Sequence, residues 1–348
     1  MSSYEKIQFI GHSINTGPQL VRDGFRERTV YTGDKDPVVD LGKRAAFFRD
    51  VLKNAEKSPL IIQDRKVLKL LMLPEFFFRG QEQAYEMRHI DNLMASLQAS
   101  VTDSRREDWI FVFGTVIGAG QAEGDNGTDG YQYCLIQQGG RTKNIKENRV
   151  RMVMRDHIAE NEFIMATPEK NGQERWERRY HRLPPEYSGI GMEEQQNHYD
   201  GRSIFELAGI TFGVEIGPDH CEGRLRHSPQ PPGHRKVQIQ LIPSCGTEIL
   251  PDSVTAVKDG WVFQCDGLNE CYTDLRKVIA EHQRLPEQSA KIALFPQLPP
   301  AVIHTSCNTE DLFVGGPGKL HFYEPVTIPE AVTSGQKDSG PLREKIAA

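Results

Sequence analysis

The sequence predicts an α/β fold. Three consecutive segments carry that expectation: an apolar run over 67–78, VLKLLMLPEFFF; a stretch over 81–101, QEQAYEMRHIDNLMASLQASV, with Tyr85, Ile90, Leu93, Met94 and Leu97 at helical spacing; and a second apolar run over 108–118, DWIFVFGTVIG. Strand, helix and strand in that order favour a sheet with a helical cover.

The remaining elements follow in order. YQYCLIQQGGR, 131–141, alternates and ends in Gly-Gly, as a strand entering a hairpin turn does. From Thr142 to about Asp200 the chain is rich in Arg, Glu, Pro and Asn, which predicts a long surface excursion, a kind of loop that often carries function. Strand signals resume in RSIFELAGITFGVEIG, where 204–207 and 210–216 flank Ala208-Gly209 as the arms of a hairpin. VQIQLIPSCG (237–246), GWVFQCDG and KIALFPQL read as further strands, and DLRKVIAEHQRL, between the last two, reads as a helix. No repeat or linker divides the chain, so one domain over 1–327 is expected, followed by a small, polar, mobile tail over 328–348.

With 348 residues the chain can bury a full core. No stretch approaches the ~20 apolar residues needed to cross a bilayer, and MSSYEKIQFIGH lacks the pattern of a secretory signal, which predicts a soluble, cytoplasmic protein without membrane partners. The net charge of -6 disfavours generic nucleic-acid binding. RWERRYHR, 175–182, is either a set of anion contacts or a solvated face. The six cysteines are scattered without a C-x-x-C pair, so a disulfide framework or structural zinc site is not expected.

Two constellations carry chemistry. Glu75 follows LLMLP at the end of a strand that reads as buried on both faces; there it is either paired, hydrogen-bonded or protonated, or it points to solvent at the sheet's edge. Asp219, His220 and Cys221 place a thiol beside a base and a carboxylate after a Gly-Pro turn. The same three residues also fit a capping aspartate followed by a packed cysteine. GGPGKL, 315–320, lacks the spacing and the Ser or Thr of a phosphate loop.

LLMLPEFFFRG, FELAGITFGVEIGPDH and VQIQLIPSCG with the following DGWVFQCDG resemble, in that order, the blocks of the nitrilase superfamily of carbon–nitrogen hydrolases, from about 68 to 295. The resemblance implies a four-layer αββα sandwich, a homodimer or larger homo-oligomer, and a Glu-Lys-Cys site that cleaves amides or nitriles of small molecules with no metal or organic cofactor. It makes Glu75 the general base, which takes the thiol proton and later activates water. The lysine, which helps to hold the oxyanion of the tetrahedral intermediate, falls in RTKNIKENRVRMVMRDHIAENEF, where Arg155 aligns and Lys143 and Lys146 lie upstream.

At the nucleophile the sequence departs from the pattern. Gly217 stands where the cysteine is expected, with Asp219 and His220 at their aligned places and Cys221 four residues on. If those residues are helical, Cys221 lies ~6 Å along the axis from Gly217. Cys245, at the end of the neighbouring PSCG strand, is a second candidate to face the pocket. Two readings follow: a hydrolase working through a cysteine thioester or thioimidate, with Glu75, Arg155 or Lys146 and a displaced cysteine; or a protein of this fold that binds a ligand, or acts through assembly, without turnover. A carboxylate-bearing amide bound by Arg178 and Arg179 is the substrate expectation.

Overall fold

The computed structural model describes residues 4–23, 26–81, 84–121, 128–140, 151–154, 165–168, 174–177, 203–227, 233–268, 271–281, 292–309 and 312–333. Along the chain come β1 (Lys6–Asn15), β2 (Gln19–Asp23), β3 (Arg26–Val30), α1 (Pro37–Lys57), β4 (Val67–Met72), β5 (Tyr85–Glu86), α2 (Met87–Val101), β6 (Trp109–Gln121), β7 (Thr128–Gln138) and β8 (Arg151–Met154). There follow β9 (Met165–Pro168), β10 (Glu174–Glu177), β11 (Ile204–Leu207), β12 (Ile210–Val214), β13 (Ile239–Ser244), β14 (Trp261–Asp266), β15 (Thr273–Glu281), β16 (Ile292–Leu294), β17 (Ala301–His304), β18 (Val314–Phe322) and β19 (Val326–Thr327).

Two sheets dominate. The first runs β17-β18-β1-β4-β6-β7-β8, with β19 beside β1 and β5 beside β6; the second runs β11-β12-β13-β14-β15-β16. Their centres are parallel, β1 with β4 and β4 with β6 in one, β12 with β13 and β13 with β14 in the other. Parallel strands covered on both faces read as continuous apolar runs, which is why β4 and β6 stand out in the sequence.

Alternation along each strand divides the core. Ile7 and Phe9 of β1, Leu68, Leu70 and Met72 of β4, and Ile110 and Val112 of β6 meet Phe212, Val214, Ile239, Leu241 and Phe263 of the second sheet. The intervening residues, such as Ile10, Leu71, Phe111 and Phe113, face α1 and α2 instead. α1 begins at Asp36, whose carboxylate accepts from the Val38 and Val39 N–H groups at 2.8 and 3.2 Å, with Pro37 next in line. Its Leu41, Ala45, Phe48, Leu52 and Ala55 lie on one buried face. α2 does the same with Ile90, Leu93, Met94, Leu97 and Val101.

The outer face of the second sheet is closed by a small cluster of Val237, Ile242, Ile249, Val254, Ala256, Val262 and Val278. Among the described residues this fourth layer is built from a connecting segment and from two four-residue helices, Pro218–Cys221 and Arg224–His227, rather than from long helices. The fold is a mixed α/β sandwich, as the sequence predicts. No helix among the described residues is long and apolar enough to cross a membrane.

One element corrects the sequence reading. The segment expected to be a helix, DLRKVIAEHQRL, forms β15 as far as Glu281, paired antiparallel with β14 from Trp261↔Lys277 to Cys265↔Thr273. Leu275 and Val278 are buried three positions apart, which imitates a helical period, and the register shift between Val278 and Ala280 disturbs the alternation that marks a strand. The hairpin expected around Ala208-Gly209 is present as β11 and β12. GGPGKL lies within β18.

Candidate active site

Strand ends from both sheets converge on one place. The Gly217 N–H donates to the Pro243 carbonyl at 3.1 Å, and the Glu75 and Gly267 N–H groups both donate to the Ser244 carbonyl, at 3.4 and 2.9 Å. The Thr16 N–H donates to the Gly267 carbonyl at 2.8 Å. The carboxyl ends of β1, β4, β12, β13 and β14 are thus stitched together through the main chain, at the end where parallel sheets place their sites. Asp266 completes the frame: one oxygen accepts from Ser244 Oγ and the Gly246 N–H at 2.7 Å each, and the other accepts from the Leu268 N–H at 2.8 Å.

Glu75 lies inside this ring and is 1% exposed. Its carboxylate accepts from Gln132 Nε2 at 2.9 Å, and its carbonyl accepts from Thr16 Oγ1 at 2.6 Å. Thr115 Oγ1 accepts from both Gln132 Nε2 (3.0 Å) and the Phe76 N–H (2.7 Å), so β6 and β7 fix the turn that carries the glutamate. Phe76 pays with a left-handed backbone, φ 60°. Of the two sequence alternatives for Glu75, the structure shows the buried and hydrogen-bonded one.

Gly217 faces that carboxylate directly. A Cβ at position 217 would lie 2.8 Å from Glu75 Oε1 and 2.9 Å from its Cδ, and closer still to Oε2. The backbone has φ 45° and ψ -115°, a conformation that glycine adopts without strain. The residues after it are helical, and Cys221 ends exposed at the far end of that turn. His220 is fully buried, its Nδ1 lying 2.6 Å from Glu215 Oε2 while its Nε2 accepts from the Leu250 N–H at 2.9 Å. The ring proton is therefore on Nδ1, and neither nitrogen is available as a base for Cys221. Asp219 is buried, with Arg224 Nη1 3.4 Å from its Oδ2.

Cys245 follows Ser244, the residue whose carbonyl receives the Glu75 N–H, and it packs with Phe76 and Ile117. Burial pushes its thiol well above the ordinary range, and the Glu75 and Asp266 carboxylates push in the same direction; Thr16 and Arg79 pull it down. The sequence candidates thus fall into two groups: Glu75, Gly217 and Cys245 come together, while Asp219, His220 and Cys221 occupy the turn beyond. Arg155 and Lys146, like Lys143, Arg178 and Arg179, lie outside the described residues.

Sequence reasoning missed five participants: Thr16, Thr115, Gln132, Arg79 and Glu215. Glu215 had a legible signal, an acid inside the apolar run GVEIG, and it is buried with Oε1 accepting from the Leu225 N–H and Oε2 receiving Gln240 Nε2 at 2.7 Å as well as His220. Arg79 closes the Glu75 block itself. The threonines and the glutamine carry no pattern that would mark them.

No family model and no curated protein matches the sequence. Among solved structures, the chain is similar to an amidase from Nesterenkonia sp. at 12% identity and TM-score 0.37, over 86% of this chain and 92% of that one. A variant of that amidase, described as from the nitrilase superfamily, gives 12% identity and TM-score 0.36 over the same shares. A glutamine-dependent NAD(+) synthetase from Cytophaga hutchinsonii gives 12% identity and TM-score 0.39, over 83% of this chain and 43% of that one, so the chain spans less than half the length of the synthetase. The two-sheet architecture is the mixed α/β sandwich that the sequence predicts.

Proposed function

We propose that the protein cleaves the carbon–nitrogen bond of a small amide, with Glu75 as general base and Cys245 as the thiol it serves. The observation that supports this most directly is the main-chain contact of Glu75 with Ser244, which sets a buried carboxylate next to Cys245, whose thiol is pushed up first by burial and then by Glu75. In the first step the Sγ–H proton passes to Glu75 as sulfur bonds to the amide carbon. The C–N bond then breaks and the nitrogen departs with the proton from Glu75, leaving a thioester. Water, deprotonated by Glu75, then attacks the thioester carbon; the C–S bond breaks, the acid leaves, and the Cys245 thiolate takes the proton back from Glu75.

A second reading is favoured by one specific contact. The Glu75 carboxylate fills the space that a side chain at 217 would take, an arrangement that suits a pocket which holds an amide without attacking it. Incubation with butyramide, followed by ammonia release and by intact mass, separates the two. Turnover that disappears in both Glu75→Gln and Cys245→Ser, with a trapped acyl group on the Cys245 peptide, supports the hydrolase. Binding without ammonia release supports the second reading, and turnover that survives Cys245→Ser excludes the proposed nucleophile.

A further inference from the structure

Gln132 is fully buried on β7, where a side-chain amide costs free energy unless its polar atoms are bonded. It shares with Cys134 and Ile136 the face of β7 that meets the second sheet. On the neighbouring strand β6, the register slips between Val112↔Ile136 and Thr115↔Cys134, so that Phe113 and Gly114 stand opposite Leu135 alone. Ile110 and Val112 face the second sheet before this bulge and Val116 faces the helices after it, so Thr115 and Ile117 are turned toward the second sheet instead of away from it. Gly114 makes the bulge possible: its φ is 75°, and a Cβ there would overlap the Pro74 carbonyl oxygen. One extra residue in β6 therefore aims Thr115 at the turn that carries Glu75.

The contacts that result form a connected set. Nε2 of Gln132 has two hydrogens, and its contacts with Glu75 Oε1 at 2.9 Å and Thr115 Oγ1 at 3.0 Å account for both. Thr115 Oγ1 also accepts from the Phe76 N–H at 2.7 Å, so one hydroxyl oxygen fixes both the amide and the residue that follows the glutamate.

Building on the amide reading of this site, we propose that Gln132 is the positioning residue of its general base, fixing the plane of the Glu75 carboxylate through the contact with Oε1. A carboxylate can only accept, so the amide nitrogen favours the charged, proton-taking form of Glu75 over the acid. Removing that donor leaves a glutamate that is more easily protonated and less firmly aimed.

Gln132→Met, which keeps an unbranched side chain and removes the donor, tests this in the full chain. With carbon-13 at the side-chain carboxyls of glutamate, the signal that Glu75→Gln deletes belongs to Glu75, and in Gln132→Met it should titrate at higher pH than in the wild-type protein. The loss of kcat/KM for butyramide, followed by ammonia release, should be about tenfold larger at the acid end of the pH profile than at the alkaline end, the scale of one hydrogen bond to a charged group. KM should stay within about twofold of the wild-type value. Thr115→Val guards against a folding defect in the methionine variant: it leaves Gln132 in place but takes away the oxygen that orients its amide, and should move the Glu75 signal in the same direction. Thr115→Ser, which keeps that oxygen, should titrate as the wild-type protein does.

A Glu75 signal that stays in place in both Gln132→Met and Thr115→Val, or a loss of kcat/KM that is equal at every pH, overturns the proposal. The two readings fail differently. If the wild-type protein releases no ammonia while Gln132→Met still shifts the Glu75 signal, the hold on the carboxylate stands and the amide reading falls. If ammonia is released and neither the signal nor the shape of the profile moves, the amide reading stands and the role of Gln132 falls.

Discussion

Position 217 combines a positive φ with a carboxylate standing where a Cβ would lie. An L side chain there meets both problems at once. Gly217→Ala should destabilise the fold by about 2 kcal/mol or more, from backbone strain and from displacement of Glu75. Urea unfolding measures it, and Glu75→Ala in the same chain should recover part of the loss, because the two residues compete for one space. Cys245 gives the second residue-scale prediction. Since the Glu75 carboxylate helps to hold its thiol high, Glu75→Gln should lower that thiol and speed its alkylation at neutral pH, even as it abolishes turnover. Peptide mass spectrometry after iodoacetamide treatment reads the rate, and slower or unchanged alkylation would contradict the placement of the pair. Exposed Cys221 should react first in either chain.

Elements position the site through contacts that are not themselves chemical. Asp40 and Arg44 of α1 form a buried ion pair at 2.7 Å, and the Tyr85 hydroxyl donates to the same carboxylate oxygen at 2.5 Å. Arg44 also donates to the Phe77, Thr32 and Leu312 carbonyls at 2.8 to 3.1 Å, which ties α1 to the turn that follows Glu75. Arg44→Met should cost about 3–5 kcal/mol in chemical denaturation, because it leaves Asp40 buried without its cation. The element that anchors this network was missed in the sequence reading, although Asp36-Pro37 is a helix start and Leu41, Ala45, Phe48 and Leu52 recur at helical spacing. β4, β6 and the β11–β12 hairpin were legible, since burial on both faces or strict pairing shapes their composition. β15 was not. A strand near the edge of its sheet keeps only part of its inward face buried, and its bulge replaced a period of two by a spacing of three. Of the site, the sequence showed the acid at a strand end, because a buried charge is a costly anomaly, whereas only the family resemblance marked Gly217 as the place where a cysteine is expected. It could not show that Cys245 rather than Cys221 lies by Glu75, which depends on contacts between two sheets.

At the scale of the whole molecule, the sandwich buries two histidines where β1 meets β18. His12 and His321 are both held down to about 4 from an ordinary 6.5, chiefly by burial; His321 further lowers His12, and Lys319 lowers His321. Both are neutral in the fold, and the unfolded chain binds their protons first. Stability should therefore be fully present above pH 6.5 and fall as the pH drops toward 4, by a few kcal/mol in all. Urea midpoints across that range measure the slope, and His12→Gln with His321→Gln should flatten it. Sheet registers and layers explain why such groups lie inside: His12 pairs with Leu320, next to His321, between strands that are themselves covered. The joining of the strand ends has a different consequence. Main-chain amide and carbonyl groups hold the carboxyl ends of β4 and β12 upon β13, so this part of the join is kept when Cys245 is exchanged for another residue. Serine in place of Cys245 should therefore leave the strand ends joined as they are, and only the sulfur chemistry should change.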